Sequence, residues 1–243
     1  MARFFIAPPL PEAEITLTGE NARHARVLRL KPGEEIIVCD GQGSECRCAD
    51  ATRVGEQAVQ LAVLARQASA AESAVRVSVY IAFPKADKLE HIIQKATELG
   101  AYEIVTFPSA RCIARPEEKT LAKKLERWQK IAASAAEQSG RGRIPRVRVL
   151  RSYPEAVREA AGAELGLLFY ERELSHTLRA ALDERPYRSV SLLTGPEGGL
   201  EEAGVALARE AGMQICTLGR RILRCETAPL CALSAVLFHA GEF

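Results

Sequence analysis

The chain has 243 residues, 47% of them hydrophobic and 26% charged, with a formal net charge of +2. That supplies one large core or two modest ones, and it argues against a protein that coats nucleic acid through bulk charge alone. No stretch approaches the roughly 18 uninterrupted apolar residues of a membrane helix, and Met1-Ala2-Arg3-Phe4-Phe5-Ile6 followed by prolines lacks the apolar core of an export signal, so a cytoplasmic protein with no membrane contact is expected. The cysteines, at 39, 46, 48, 112, 216, 225 and 231, include no Cys-x-x-Cys pair. Cys46-x-Cys48 alternates like a strand and has no second ligand pair, so free thiols and no metal site are expected.

Along the first part of the chain, short alternating runs at 14–17, 35–39, 45–51 and 58–65 are separated by Lys31-Pro32-Gly33, Asp40-Gly41-Gln42-Gly43 and Val54-Gly55-Glu56. Turn signals at that spacing predict a small β-barrel, interrupted by one helical piece over 21–30. Residues 67–73, Gln-Ala-Ser-Ala-Ala-Glu-Ser, are small and polar without periodicity and read as a linker. Two domains are therefore expected, 1–70 and 74–243.

Beyond the linker the rhythm lengthens. A buried strand is predicted over 75–83, and then a helix with Asp87 as its cap and Glu90 three residues on. Leu89, Ile92, Ile93, Ala96 and Leu99 form one apolar stripe of that helix, and Gly100 stops it. A strand over 103–107 leads to a long helix over 117–138 with Leu121, Leu125, Trp128, Ile131 and Ala135 on one face. Further strands follow at 146–150, 165–170, 189–193 and 214–218, with helices at 155–161, 175–182, 201–211 and 227–239. Strands separated by helices of this length predict an α/β domain, a mainly parallel sheet with helices on both faces and ligands at the strand carboxyl ends.

Three segments carry candidate chemistry. Arg141, Arg143, Arg146, Arg148 and Arg151 crowd into eleven positions with Gly140, Gly142 and Pro145. This suits a phosphate-gripping loop, and suits equally a solvated one. Leu192-Leu193-Thr194-Gly195-Pro196-Glu197-Gly198-Gly199-Leu200 runs from a strand into a glycine-rich turn whose backbone can approach a ligand. It lacks the Gly-Lys-Ser/Thr of a P-loop and the spacing of a dinucleotide fingerprint, and by itself it is also an ordinary tight turn. Leu218-Gly219-Arg220-Arg221-Ile222-Leu223-Arg224-Cys225-Glu226-Thr227-Ala228 is a second strand end, with a basic and apolar loop leading into an apolar helix. Thr227 is the expected N-cap of that helix, and Pro229 sits in its first turn. Two such turns after neighbouring strands can enclose a nucleoside-like ligand from two sides.

In this order the two segments resemble the signature of the RsmE family, the 16S rRNA (uracil-N3) methyltransferases of the SPOUT class. The likeness covers nearly the whole chain. Arg3-Phe4-Phe5, His24 and Val27-Leu28-Arg29 resemble the family's PUA-like RNA-binding domain. Gln94-Lys95-x-x-Glu98-Leu99-Gly100, Arg111-Cys112, Trp128-x-Lys130-Ile131 and Glu137-Gln138-Ser139-x-Arg141 resemble its catalytic domain. Arg220, where the family commonly has proline, and Cys225, where it has threonine, depart from the pattern and affect fine contacts in the second loop.

The resemblance implies a sheet with a deep trefoil knot, S-adenosylmethionine as cofactor, 16S rRNA within the small ribosomal subunit as substrate, and a homodimer with its last helix at the interface. It places the cofactor at Phe169, Leu193, Gly195, Gly199, Leu218, Gly219, Ile222 and Leu223. The reaction it implies is displacement at a sulfonium methyl, for which alignment and activation of uracil N3 are the main tasks. Arg224 is the expected stabiliser of uracil or phosphate oxygens, and Glu226 is expected to orient it or accept the proton. Glu226 is equally well explained as a carboxylate favoured at a helix start.

Lys85, Lys88, Arg111, Arg141 and Arg143 are the expected RNA contacts, with His24 and Arg29 on the N-terminal helical piece. Each is also compatible with plain surface, and His24 with a structural role. His91, His176 and His239 show no metal spacing. The same chemistry on another base or RNA, and a non-catalytic RNA-binding ribosome-assembly factor, are the alternative readings.

Overall fold

A computed structural model of the chain describes residues 1–31, 33–54, 58–113 and 116–243, with the backbone alone for 50–54. Pro32 of Lys31-Pro32-Gly33, and Gly55-Glu56 of the predicted turn after Val54, lie outside the described residues. The chain divides into two compact units, Met1–Glu72 with Ala136–Ile144, and Ser73–Ala135 with Pro145–Phe243.

The first unit holds strands β1 (Arg3–Phe5), β2 (Glu14–Thr18), β3 (Ile36–Cys39), β4 (Ser44–Val54) and β5 (Ala58–Ala68), and helix α1 (Gly19–Val27). The strands run β1-β3-β4-β5-β2 in one sheet curled as a half-barrel. Period-2 alternation turns Ile15 and Leu17 of β2 inward onto Phe4, Ile36, Val38, Val59 and Leu61. The three-residue β1, too short to show alternation, pairs in parallel with β3. β5 continues to Ala68, inside the stretch expected as linker, because its ladder on β4 persists through Glu45↔Gln67 and Ser44↔Ala68. Backbone pairing there outweighs small, polar side chains.

The unit is completed by residues distant in sequence. The Glu72 carboxylate accepts from Arg141 Nη2 at 2.7 Å and from the backbone N–H groups of Gly142 and Arg143 at 3.0 Å each. The Arg141 side chain is 4% exposed. A Cβ on Gly142 would lie 2.4 Å from that of Ser69, so only glycine fits.

The second unit is an all-parallel sheet of β6 (Arg76–Ala82), β7 (Glu103–Phe107), β8 (Arg146–Val149), β9 (Leu165–Phe169), β10 (Ser189–Thr194) and β11 (Gln214–Cys216), ordered β11-β9-β10-β6-β7-β8. Its helices are α2 (Lys88–Glu98), α3 (Glu118–Gln138), α4 (Tyr153–Ala160), α5 (Leu178–Asp183), α6 (Glu202–Glu210) and α7 (Thr227–His239). The last residues of α3 fall in the first unit. Near-continuous apolar strands such as Leu165–Phe169, buried at all five positions, require cover on both faces. Ala156, Val157 and Ala160 of α4 and Val205 and Ala208 of α6 cover one. Helix α7 packs on β6 and β10 and on α2.

Local signals misplace some helix starts. Asp87 precedes α2 but its side chain makes no capping bond, and Glu90, its expected capping-box partner, pairs with Arg127 at 2.7 Å. Helix α5 begins at Leu178, later than expected, because the Glu173 carboxylate accepts the N–H groups of Ser175 and His176 and holds a turn there; Thr177 then caps the helix. Glu226, not Thr227, occupies the N-cap position of α7. Among the described residues no helix is long and apolar enough to cross a membrane, and no group of three or more potential ligands is placed to hold a metal.

Candidate functional site

Strands β11, β9 and β10 are adjacent, so their carboxyl ends open onto one place. A cavity of about 430 Å³ lies there, bounded by the turn after Phe169, the loop from Thr194 to Leu200, and the loop from Thr217 to Cys225. That volume suits a small-molecule site, in the position where parallel sheets receive ligands.

Steric crowding at Gly195 and Gly199, and a positive φ at Gly199 and Gly219, explain the glycines. A Cβ on Gly195 would stand 3.0 Å from Leu200 Cγ and 3.1 Å from the Gly199 carbonyl carbon. Gly199 has φ +68°, and a Cβ there would meet Glu171 Oε1 at 2.5 Å. Gly219 has φ +101°. The wall is therefore bare backbone at these points, offering peptide groups to a ligand. Around it stand apolar side chains: Phe169 is buried, while Leu174 and Ile222 are 85% and 84% exposed and leave apolar surface uncovered at the cavity.

One cation ties the two loops together. Lys88, in the first turn of α2, reaches Glu197 of the first loop at 3.0 Å and Glu226 at the end of the second at 3.1 Å. Glu197 also accepts the N–H of Lys85 at 3.0 Å. Burial opposes ionisation of Glu197, yet its own and the Lys85 backbone N–H groups, with the Lys88 ammonium, hold its carboxyl at about 2. The same two carboxylates, Glu197 first, hold the Lys88 ammonium well above its ordinary range. Burial and the neighbouring Glu226 push the Cys225 thiol up to about 12, so it stays protonated and donates to Glu226 at 3.2 Å. The backbone N–H of Glu226, that thiol and Lys88 keep the Glu226 carboxyl below the usual range.

Seven of the eight expected cofactor residues line the cavity: Phe169, Gly195, Gly199, Leu218, Gly219, Ile222 and Leu223. Leu193 is fully buried within β10, paired between Tyr80 and Leu168, with its side chain in the core. Arg224 lines the cavity beside Arg220 and Arg221, and none of the three has an ion-pair partner among the described residues. Glu226 meets Lys88 and not Arg224.

The expected RNA contacts divide. Lys88 belongs to the loop tie just described, and Arg141 is buried against Glu72, so neither presents a free charge. Arg143 is half-buried and donates to the Gln42 carbonyl. Arg148 of the same arginine-rich segment is held by Glu103 and Glu159. Lys85 and Arg111 are exposed, Arg111 donating to the Gly198 carbonyl at 3.0 Å. Within the first unit, Arg29 is exposed at φ +53°, and His24 packs edge-on against Phe4 with Nδ1 3.1 Å from Glu137. The roles of Lys88 and of Glu72 have no local signature, since their partners lie more than sixty residues away.

Residues 71–237 match a family model described as an RNA methyltransferase domain, and residues 17–49 one described as an RNA methyltransferase PUA domain. The fold and site thus define an RNA methyltransferase class of protein, with a glycine-looped cavity at the strand ends of a parallel sheet. A ribosomal RNA small subunit methyltransferase E from Bacillus subtilis is 38% identical over 98% of this chain and 97% of its own. The crystal structure of a protein of that name from Neisseria gonorrhoeae, bound to S-adenosyl methionine, superposes with a TM-score of 0.82 at 34% identity, covering 98% of this chain and 97% of that one. A putative methyltransferase from Legionella pneumophila, also in complex with that cofactor, gives 0.82 at 28% identity over 97% and 96%. The chain belongs to the ribosomal RNA small subunit methyltransferase E family.

Proposed function

We propose that the chain methylates N3 of a uridine in 16S ribosomal RNA, using S-adenosylmethionine, in the cytoplasm, as a homodimer acting on the small ribosomal subunit. The observation that carries this reading is the cavity between the two glycine loops, with bare backbone at Gly195, Gly199 and Gly219 beside uncovered apolar surface at Leu174 and Ile222. Such a wall fits a nucleoside: peptide groups of the two loops would hold its polar atoms, and Phe169, Ile222 and Leu223 would supply apolar contact.

Bound there, S-adenosylmethionine supplies an electrophilic methyl group on a sulfonium. The chain's own residues do the rest. The backbone of the two loops, with Leu218 and the strand end at Thr194, fixes the donor's orientation. Arg224, with no ion-pair partner among the described residues, stabilises the negative charge that develops on uracil oxygens as the N3 proton passes to solvent. Glu226, held ionised and paired with Lys88 and not with Arg224, is a weak proton acceptor, which favours a role in fixing the second loop through Lys88.

RNA meets the exposed cations Lys85 and Arg111 of the second unit, and Arg29 with His24 of the first; these positions suit phosphate. The first unit, 1–70 at its core, is the PUA-like RNA-gripping domain, and 74–243 the catalytic one, with the knotted chain path of the SPOUT class. Dimerisation through α7 would cover Phe238, which is 66% exposed. The test is methyl transfer from labelled donor to small-subunit RNA lacking the modification, read by nucleoside mass spectrometry. N3-methyluridine is expected; donor binding without transfer to this RNA would favour the same chemistry on another base or RNA, and no donor binding by calorimetry would favour a non-catalytic RNA-binding assembly factor.

A further inference from the structure

Glu171 is not explained by the loop tie, by the fold or by Arg224. It stands two residues beyond β9, in a turn closed by the Glu173 N–H on the Tyr170 carbonyl at 3.1 Å, and it lines the cavity. Its neighbour Arg172 turns to Glu202 at 2.9 Å, whereas the Glu171 carboxylate has no hydrogen-bond or ion-pair partner among the described residues. Its Oε1 lies so close over Gly199 that a Cβ on that glycine would be 2.5 Å away, with Oε2 at 3.3 Å. Both carboxylate oxygens are thus seated on the bare backbone of the first loop, inside the cavity.

We infer that Glu171 binds the ribose of the methyl donor, accepting hydrogen bonds from its two hydroxyl groups. This rests on reading the cavity as the donor site. A carboxylate presents two acceptor oxygens and matches a vicinal diol, as acidic residues at other strand-end nucleoside sites do. The competing partner is the donor's sulfonium. A carboxylate against that cation would stabilise charge that is dispersed in the transition state, holding the ground state more tightly than the activated one and slowing transfer. The ribose carries no such penalty, because its hydroxyls are unchanged in the reaction.

The test is calorimetry on the full-length protein and on Glu171→Ala. S-adenosylmethionine, S-adenosylhomocysteine, adenosine and 2′,3′-dideoxyadenosine are the ligands. The side chain is exposed, so the substitution leaves the melting temperature in place, which is checked first. The expected result is an equal loss of affinity for the sulfonium donor and its neutral product, about tenfold to a hundredfold, the range of a hydrogen bond to a charged group. The wild type should prefer adenosine to its dideoxy analogue, and the variant should not. A loss confined to S-adenosylmethionine would overturn the inference in favour of the sulfonium, and unchanged discrimination between the two adenosines would overturn it outright. Failure of the wild type to bind any of these ligands would instead remove the donor-site reading beneath it.

Discussion

The chain has two arginine-rich stretches, 141–151 and 220–224, that differ in what surrounds them. In the first, Arg141 is buried on Glu72, Arg143 bonds the Gln42 carbonyl and Arg148 is gripped by Glu103 and Glu159. In the second, Arg220, Arg221 and Arg224 border a cavity with no acidic partner among the described residues. An arginine is available to an anionic ligand only where the fold withholds a carboxylate from it. Desolvation sharpens the contrast, since a buried guanidinium is tolerated only with its partner in place, while an exposed one retains its water until a ligand arrives.

The largest effect should come from breaking the first stretch. Glu72→Ala removes the carboxylate paired with the buried Arg141 guanidinium and the acceptor of two backbone N–H groups, a loss of about 3–5 kcal/mol. Denaturant unfolding measures it, and a loss below about 1 kcal/mol would show that this pair is no different from a surface one.

Arg224→Ala probes the second stretch and should leave stability and donor affinity in place while turnover falls about a hundredfold to a thousandfold, the scale of removing one charge-stabilising donor. Single-turnover kinetics checks it; an unstable Arg224→Ala protein would make the two stretches alike. A smaller effect is expected from Lys88→Met, which unties the loops and should weaken donor binding several-fold by calorimetry, with Glu197 and Glu226 left without their shared cation.

The smallest effect is one of pH. Because the folded state depresses the Glu197 carboxyl from 4.5 to about 2, its contribution is complete above the unfolded value and disappears as pH falls towards about 2. Carboxyl titration by NMR should therefore find Glu197 still ionised at pH 4, and a midpoint near 4.5 would mean that the tie is absent in solution.

Local pattern made much of this legible. Apolar runs such as Leu165–Phe169 and the glycine turns at Gly195, Gly199 and Gly219 announce a strand and its ligand-facing end from a few consecutive residues. The pairing of Lys88 with Glu197, of Arg141 with Glu72, and the seating of Glu171 on Gly199 were invisible, because each joins residues that only the folded chain brings together. Arginine spacing alone made Arg141, Arg143 and Arg148 look as open as their neighbours Arg146 and Arg151 are. Helix starts erred where side chains took other partners, as Glu90 does with Arg127 and Glu173 with the Ser175 backbone. Segment 136–144 joins the first unit through Glu72 and Gly41, contacts no linear reading of a helix end foretells.

The central claim is that the cavity between residues 194–200 and 217–225 is where the methyl donor sits. The most direct measurement is a crystal structure grown with S-adenosylhomocysteine. Density for the nucleoside between Gly199 and Ile222, with the Lys88 tie intact, is the predicted result. Density at any other place on the molecule, with this cavity empty at saturating ligand, would contradict it.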